Sequence, residues 1–419
     1  MPGDPPAERT GVGHDRRDVR LVTGSVLAGS LVPLNSTMIV VALADIGHSF
    51  GVSKSSTAVL VTAYLVAMLV LQPLGGRAGD RLGATAVTRG ALAGFAVTSA
   101  VTAAAPSFAL LLAGRCGQAL FGAALIPNLQ ATLRRAIPAD RRGRVFGTFS
   151  AGVGAGAAVG PLLGGLLVAV WGWRALLPVS VPICLAALFL LGGATADRPD
   201  PDAATGGLAA GPAPARWTEL ARPGFVAACA AQATSNFCMY SVLLVAPLLL
   251  SGRHWHAGAI GAAVFAMTAG MVLFPPVGGR LADTRGRSAP VVGGFAAAAL
   301  GAAVMAAAVS HPGAFIAGMA VVGAGTGVAV GSLQAAAMEA VPAAAAGTAG
   351  GVFSTVRYLG SIAASAAVAG SAVGEPAGAR AVLVAAVVVM AVAVAAGSRV
   401  DAGDRSALRT VWVGPPRSP

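Results

Sequence analysis

Gly76-Arg77-Ala78-Gly79-Asp80-Arg81-Leu82-Gly83 and Gly279-Arg280-Leu281-Ala282-Asp283-Thr284-Arg285-Gly286-Arg287 read as two copies of one short, charged loop signature. Their aspartates lie 203 positions apart in a chain of 419 residues. Each copy closes an apolar run that ends in prolines or glycines. A chain that repeats such a boundary half a length later is built twice. Doubled helical halves are one established plan for membrane transporters.

Composition leads the same way. Of the residues, 56% are hydrophobic and 11% charged, with a mean hydropathy of +0.77. Soluble domains carry about 25% charged residues. The apolar residues come as unbroken runs: Leu21 to Leu43 holds no charge, and neither does Thr57 to Gly76. A run of about 20 such residues crosses the hydrocarbon layer as a helix, which satisfies its own backbone polar groups. No alternating strands of barrel type are present. Twelve spans are expected, at 21–44, 57–76, 86–105, 107–126, 146–170, 175–193, 223–250, 257–277, 289–309, 313–336, 347–373 and 378–398. The first is too long for the apolar core of a signal peptide and reads as retained.

Domain organisation follows from these spans. A tail covers 1–20, a six-helix bundle 21–193, a Pro/Gly-rich linker 194–222, a second six-helix bundle 223–398 and a second tail 399–419. The linker's Trp217-Thr218-Glu219-Leu220 reads as a short interfacial helix, and the last twenty residues read as disordered.

The net charge of +12 is topological. Of the 28 Lys and Arg residues, 22 fall on one side of the expected spans. Lys54, Arg174, Arg253 and Arg380 fall on the other, and Arg115 and Arg357 lie inside spans. The asymmetry places both termini in the cytoplasm under the positive-inside rule, in an inner (cytoplasmic) membrane. It removes the argument for nucleic-acid binding. Cys116, Cys184, Cys229 and Cys238 all lie within spans without metal-type spacing, so packing is their expected role. No nucleotide-binding loop, metal-ligand set or nucleophile–base pair is found, so no cofactor, metal or enzymatic activity is expected.

Four signatures together resemble the major facilitator superfamily, and within it the drug:proton antiporters in a twelve-span form. The first is the doubled signature, close to G-x-L-A-D-R-x-G-R-K. Its C-terminal copy keeps Gly279, Asp283, Gly286 and Arg287. The N-terminal copy keeps Gly76, Asp80, Arg81 and Gly83, with Ala84 and Thr85 in place of the basic pair. The resemblance implies a latch at the inner gate. The second is Gly156-Ala157-Ala158-Val159-Gly160-Pro161-Leu162-Leu163-Gly164-Gly165, which matches G-x-x-x-G-P-x-x-G-G at every fixed position and in this family marks exporters. The third, Arg115-Cys116-Gly117-Gln118, matches the start of R-x-x-Q-G-x-G-A, whose arginine the family assigns to proton coupling. The fourth is Leu34-Asn35-Ser36-Thr37-Met38-Ile39-Val40-Val41-Ala42-Leu43. It resembles L-D-x-T-I-V-N-V-A-L-P with Asn35 in place of the aspartate.

That departure bears on coupling. An antiporter needs a titratable group that sees both sides in turn. None of the sixteen acidic residues lies at a span centre; Asp45 stands at the outer end of span one and Glu339 at the inner end of span ten. Arg115, Gln118, Asn35, Asp45, Asn236, Gln334 and Arg357 are the candidates for coupling or substrate contact. With two embedded arginines and no embedded carboxylate, a neutral or anionic substrate is favoured over a lipophilic cation.

The expected fold is therefore an all-α membrane protein of twelve transmembrane helices in two six-helix pseudo-repeat bundles. The expected activity is export of small amphipathic molecules by alternating access, with a proton as coupling ion, a lipid bilayer as surroundings and a monomeric state. An uptake or facilitative permease and a non-transporting membrane sensor or scaffold remain as alternatives.

Overall fold

A computed structural model describes residues 11–192, 220–342, 346–373 and 375–399. Trp217, Thr218 and Glu219 of the expected interfacial helix, nearly all of the linker and the last twenty residues lie outside the described residues. Every regular element among those described is helical. Twelve helices are long and apolar enough to cross a membrane. Their order matches the twelve expected spans, and most ends agree within a few residues. The helices contain about 20–30 residues each, and at 1.5 Å per residue about 30 Å needs 20.

The ends that differ do so for a common reason. Spans two, four and eight run on as helix to Leu82, Ala136 and Arg285, well past their apolar runs. Hydropathy reports where lipid stops, but helix propensity continues beyond it. The first helix likewise starts at Gly11, so half of the expected 1–20 tail is helical. Prolines at 33, 73, 127, 161 and 247 sit inside spans one, two, four, five and seven without ending them. Span eight is divided, into Ala257–Leu273 and Pro275–Arg285. Pro275 has no N–H to continue the ladder, so the helix restarts there.

Arginines close many helix ends. A helix leaves its last four carbonyls without intrahelical partners. Arg89 donates to Leu191 and Gly192 at the end of span six, at 3.5 and 3.2 Å. Arg174 reaches Ala105 beyond span three, Arg380 reaches Ala306 in span nine and Arg222 reaches Ala340 after span ten. Arg253 likewise donates to the Val309 carbonyl. Cations at helix C-termini are also favoured by the macrodipole.

By packing, the chain forms two compact units that do not follow the sequence halves. Of the described residues, one contains those in 11–38, 67–160 and 170–192; the other contains those in 39–66, 161–169 and 220–399. The second unit thus gathers the ends of spans one, two and five that lie away from the basic side, together with spans seven to twelve. Within it, the Thr62 hydroxyl of span two bonds that of Ser365 in span eleven at 2.5 Å, and Ser365 lies 3.2 Å from the Ala58 carbonyl.

Candidate functional site

The first unit holds a buried polar cluster around Arg115. Ser107 caps span four by accepting from the Leu110 amide at 3.3 Å, so the helix begins at Phe108 and carries Arg115 two turns inward. Arg115 Nη1 donates to Asn35 Oδ1 of span one and to Gln118 Oε1 at 2.8 Å. Arg115 and Gln118 meet because residues three apart share a helix face. Gln118 Nε2 donates to Ser99 Oγ of span three at 2.8 Å, and Asn35 Nδ2 donates to Ser180 Oγ of span six at 3.3 Å. Four spans are thereby tied through one guanidinium that is only 1% exposed.

Each of these partners is neutral. A guanidinium at this depth costs at least about 2.5 kcal/mol on insertion scales, and its hydrogen bonds recover part of that. The cluster holds Arg115 in a fixed place, and the residues named in it, Asn35, Ser99, Gln118 and Ser180, carry no carboxylate. Three expected site residues, Asn35, Arg115 and Gln118, are thus brought together. Ser99 and Ser180 complete the set and were not identified from sequence, since a serine in an apolar span carries no spacing signal.

The doubled signature is not a loop. Gly76 to Leu82 forms the last turns of span two, and Gly279 to Arg285 the last turns of span eight. The turn itself is confined to Gly83 in one copy, and in the other it begins at Gly286. They sit at equivalent positions and have φ of 88° and 82°, which only glycine adopts freely. Close packing falls on Gly75, Gly79 and Gly278. A Cβ on Gly75 would lie 2.6 Å from Ala124 Cα, one on Gly79 would collide with the Asn128 amide, and one on Gly278 would collide with the Val328 carbonyl. Gly76 and Gly279 are open or nearly so. Asn128 explains the tight fit, because its amide donates to the Gly75 carbonyl at 2.9 Å.

Asp80, Arg81 and Asp283 are exposed, and neither aspartate is paired among the described residues. Arg287 binds Glu339 at the end of span ten through two bonds, of 2.6 and 3.3 Å. Glu339 is carried there because span ten stays helical to its last residue.

The span-five signature is a packing surface on two sides. In the first unit, Gly156 and Gly160 admit span one: a Cβ on Gly156 would lie 2.6 Å from Ser30 Cβ, and one on Gly160 would meet Thr37 Oγ1. Thr37 also donates to the Ala157 carbonyl at 3.0 Å. In the second unit, Gly165 faces Gly261 of span eight. A Cβ on Gly165 would stand 2.6 Å from the Ala257 carbonyl and 2.9 Å from Gly261 Cα, and the Pro161 carbonyl lies against Gly261. Gly164 is buried beside them.

The other candidates are dispersed. Asn236 is buried and donates to the Gln232 carbonyl one turn back at 2.9 Å, a role within its own helix. Gln334 and Arg357 are exposed in spans ten and eleven. Asp45 lies on a short helix, Leu43–Phe50, beyond span one. Although its side chain is exposed, the surrounding protein desolvates the carboxylate and raises its pKa above the usual value, and His48 pulls it partly back. No cluster of potential metal ligands occurs among the described residues.

The sequence model of the Major Facilitator Superfamily matches residues 26–365. The chain belongs to that superfamily. It is a family of membrane transporters, not of enzymes. The fold agrees: the structure of a bacterial homolog to human lysosomal transporter Spinster, in its inward-facing and unoccupied conformation, superposes with a TM-score of 0.73 at 17% identity. That superposition covers 98% of this chain and 100% of the other. Among curated relatives, the uncharacterized MFS-type transporter YvkA of Bacillus subtilis (strain 168) is 37% identical over 174 residues, which is 42% of this chain and 39% of that one. The tetracenomycin C resistance and export protein of Streptomyces glaucescens is 37% identical over 158 residues, or 38% and 29% of the two chains. The puromycin resistance protein of Streptomyces alboniger is 37% identical over 159 residues, or 38% and 32%. Each match spans less than two fifths of the relative's length.

Within a superfamily protein these features have distinct parts. The Arg115 cluster braces one side, the span-five glycines set close helix crossings, and the paired turns at Gly83 and Gly286 mark the repeat.

Proposed function

We propose that this chain is a secondary active transporter of the cytoplasmic membrane that exports small amphipathic molecules by alternating access. Both termini are on the cytoplasmic side in this reading, as the arginine distribution requires. The observation that carries it is the span-five signature Gly156 to Gly165, intact in sequence, with Gly156 and Gly160 packed against span one and Gly165 against span eight. The relatives named as resistance and export proteins support the direction.

Proton influx is the proposed driving reaction. The Arg115 cluster cannot carry the proton in this reading, because its named partners are amides and hydroxyls. Asp45 is assigned that part, as an acid whose surroundings favour the neutral form. A second reading, facilitated movement down a gradient, is favoured by the neutral partners of Arg115. Proteoliposomes loaded with a pH-sensitive dye and exposed to a panel of aromatic acids, amides and amines separate the two. Substrate-driven acidification of the side receiving protons supports antiport. Counterflow without any pH change supports the facilitative reading, and binding without movement overturns both.

A further inference from the structure

Span eleven has one face packed and one face open to its surroundings. Phe353, Gly360, Ser361, Ala364 and Val368 are buried on one side; Thr355, Leu359 and Ala366 are exposed on the opposite side, which suits lipid. At 100° per residue, Arg357 points to the middle of the packed face, within about 60° of all five buried residues. Yet Arg357 is exposed. It lies eight residues into Ala349–Ala369, about 12 Å along the helix and near mid-span. A lipid-facing cation at that depth is strongly disfavoured, and the helix geometry turns it away from lipid. Its exposure is therefore to open space on the interior face of its own unit.

That space has a direction. Farther along the helix the same face is closed, by Gly360 against the Ala233 carbonyl of span seven and by Ser365 against Thr62. Toward the end assigned to the cytoplasm it opens, with Gly350 and Ser354 half-buried. The guanidinium lies 5.2 Å from the ring of Tyr358, and no described carboxylate pairs with it. Among the described residues, the C-terminal acids Asp283, Glu339 and Glu375 all sit at helix ends. A planar, weakly hydrated cation beside an aromatic ring, accessible and with no carboxylate bound to it among the described residues, suits a carboxylate on an aromatic body.

We propose that Arg357 is a substrate-contacting, specificity-determining residue that binds the carboxylate of an aromatic acid entering from the cytoplasmic side. This deepens the export reading and rests on it. The test uses the full chain in phosphatidylcholine vesicles, which lack anionic headgroups. Binding and transport of 1-naphthoate, 1-naphthamide and 1-naphthylmethylammonium are measured for the wild type, Arg357→Gln and Arg357→Lys. The expected result is that the wild type prefers naphthoate. Arg357→Gln weakens naphthoate binding roughly 10- to 100-fold, the range for one charge-assisted hydrogen bond, while naphthamide changes little. Arg357→Lys restores part of the preference, and naphthamide binding by Arg357→Gln shows that the variant is folded. A naphthoate-to-naphthamide ratio unchanged by Arg357→Gln, or a wild type that prefers the ammonium compound, overturns the inference and leaves the export reading standing. Naphthoate binding that depends on Arg357 without transport overturns the export reading and supports the site.

Discussion

Asn35 offers a direct handle on the buried cluster. Asn35→Leu keeps the side chain near its volume but removes two hydrogen bonds, one accepted from Arg115 and one donated to Ser180 at 3.3 Å. A bond to a charged donor contributes about 1.5–3 kcal/mol and a neutral one about 0.5–1.5 kcal/mol. Burial of the new apolar carbons offsets part of that, so the expected loss is about 2–4 kcal/mol. Asn35→Asp behaves differently. Its carboxylate still accepts from Arg115, and the Ser180 hydroxyl can rotate to donate. Exchanging a neutral acceptor for a charged one gains about 1 kcal/mol, opposed by the cost of burying the carboxylate. The two substitutions should therefore separate: Asn35→Leu well below wild type, and Asn35→Asp at or above it. The assay is the temperature at which half the detergent-solubilised protein stays monodisperse at pH 7. Equal destabilisation by both substitutions would refute the reasoning, because it would mean that steric fit at position 35, not hydrogen bonding to Arg115, holds the spans together.

Gly165→Leu and Gly261→Leu should each abolish transport, because the two residues face each other with 2.9 Å between Gly261 Cα and a Cβ on Gly165; a retained rate in membrane vesicles would show that this crossing is not needed. A double-mutant cycle on Arg287→Ala and Glu339→Ala should give a stability coupling below about 1 kcal/mol, since the pair is 38% and 58% exposed. Asp45→Asn should remove substrate-driven proton movement but leave counterflow intact, measured with an entrapped pH dye. The raised pKa of Asp45 favours its protonated form in the folded protein. Its contribution to stability therefore grows as pH falls through that pKa and is a small cost above it, and Asp45→Asn should flatten this dependence in melting curves from pH 4 to 7. Asp80→Asn and Asp283→Asn should both slow transport, and wild-type rates in both would reduce the signature to a helix end with a turn.

The architecture was legible because lipid imposes one strong requirement, a long apolar helix, and the sequence meets it twelve times. The turn glycines were legible for a similar reason: Gly83 and Gly286 occupy positive φ that few other residues accept. Side-chain geometry was less so. Hydropathy ended span two near Gly76, whereas the helix runs to Leu82 and takes the signature with it. The family-like pattern singled out Gly76 and Gly279, but the close contacts fall on Gly75, Gly79 and Gly278, because contact depends on which face meets spans four and ten. Ser99 and Ser180 join the Arg115 cluster from spans three and six, and no local pattern distinguishes them from serines that only bond their own helix. Glu339 was visible as an acid at a span end, but its partner in Arg287 is fixed by a tertiary contact 52 residues away.

Accumulation of amphipathic compounds in inside-out vesicles tests the central claim most directly. The vesicles contain only this protein and carry an imposed gradient, acid inside. The account predicts concentrative uptake that collapses when the gradient is dissipated and is missing in Gly165→Leu. Compounds that bind but do not accumulate above protein-free vesicles, with the gradient intact, would contradict it.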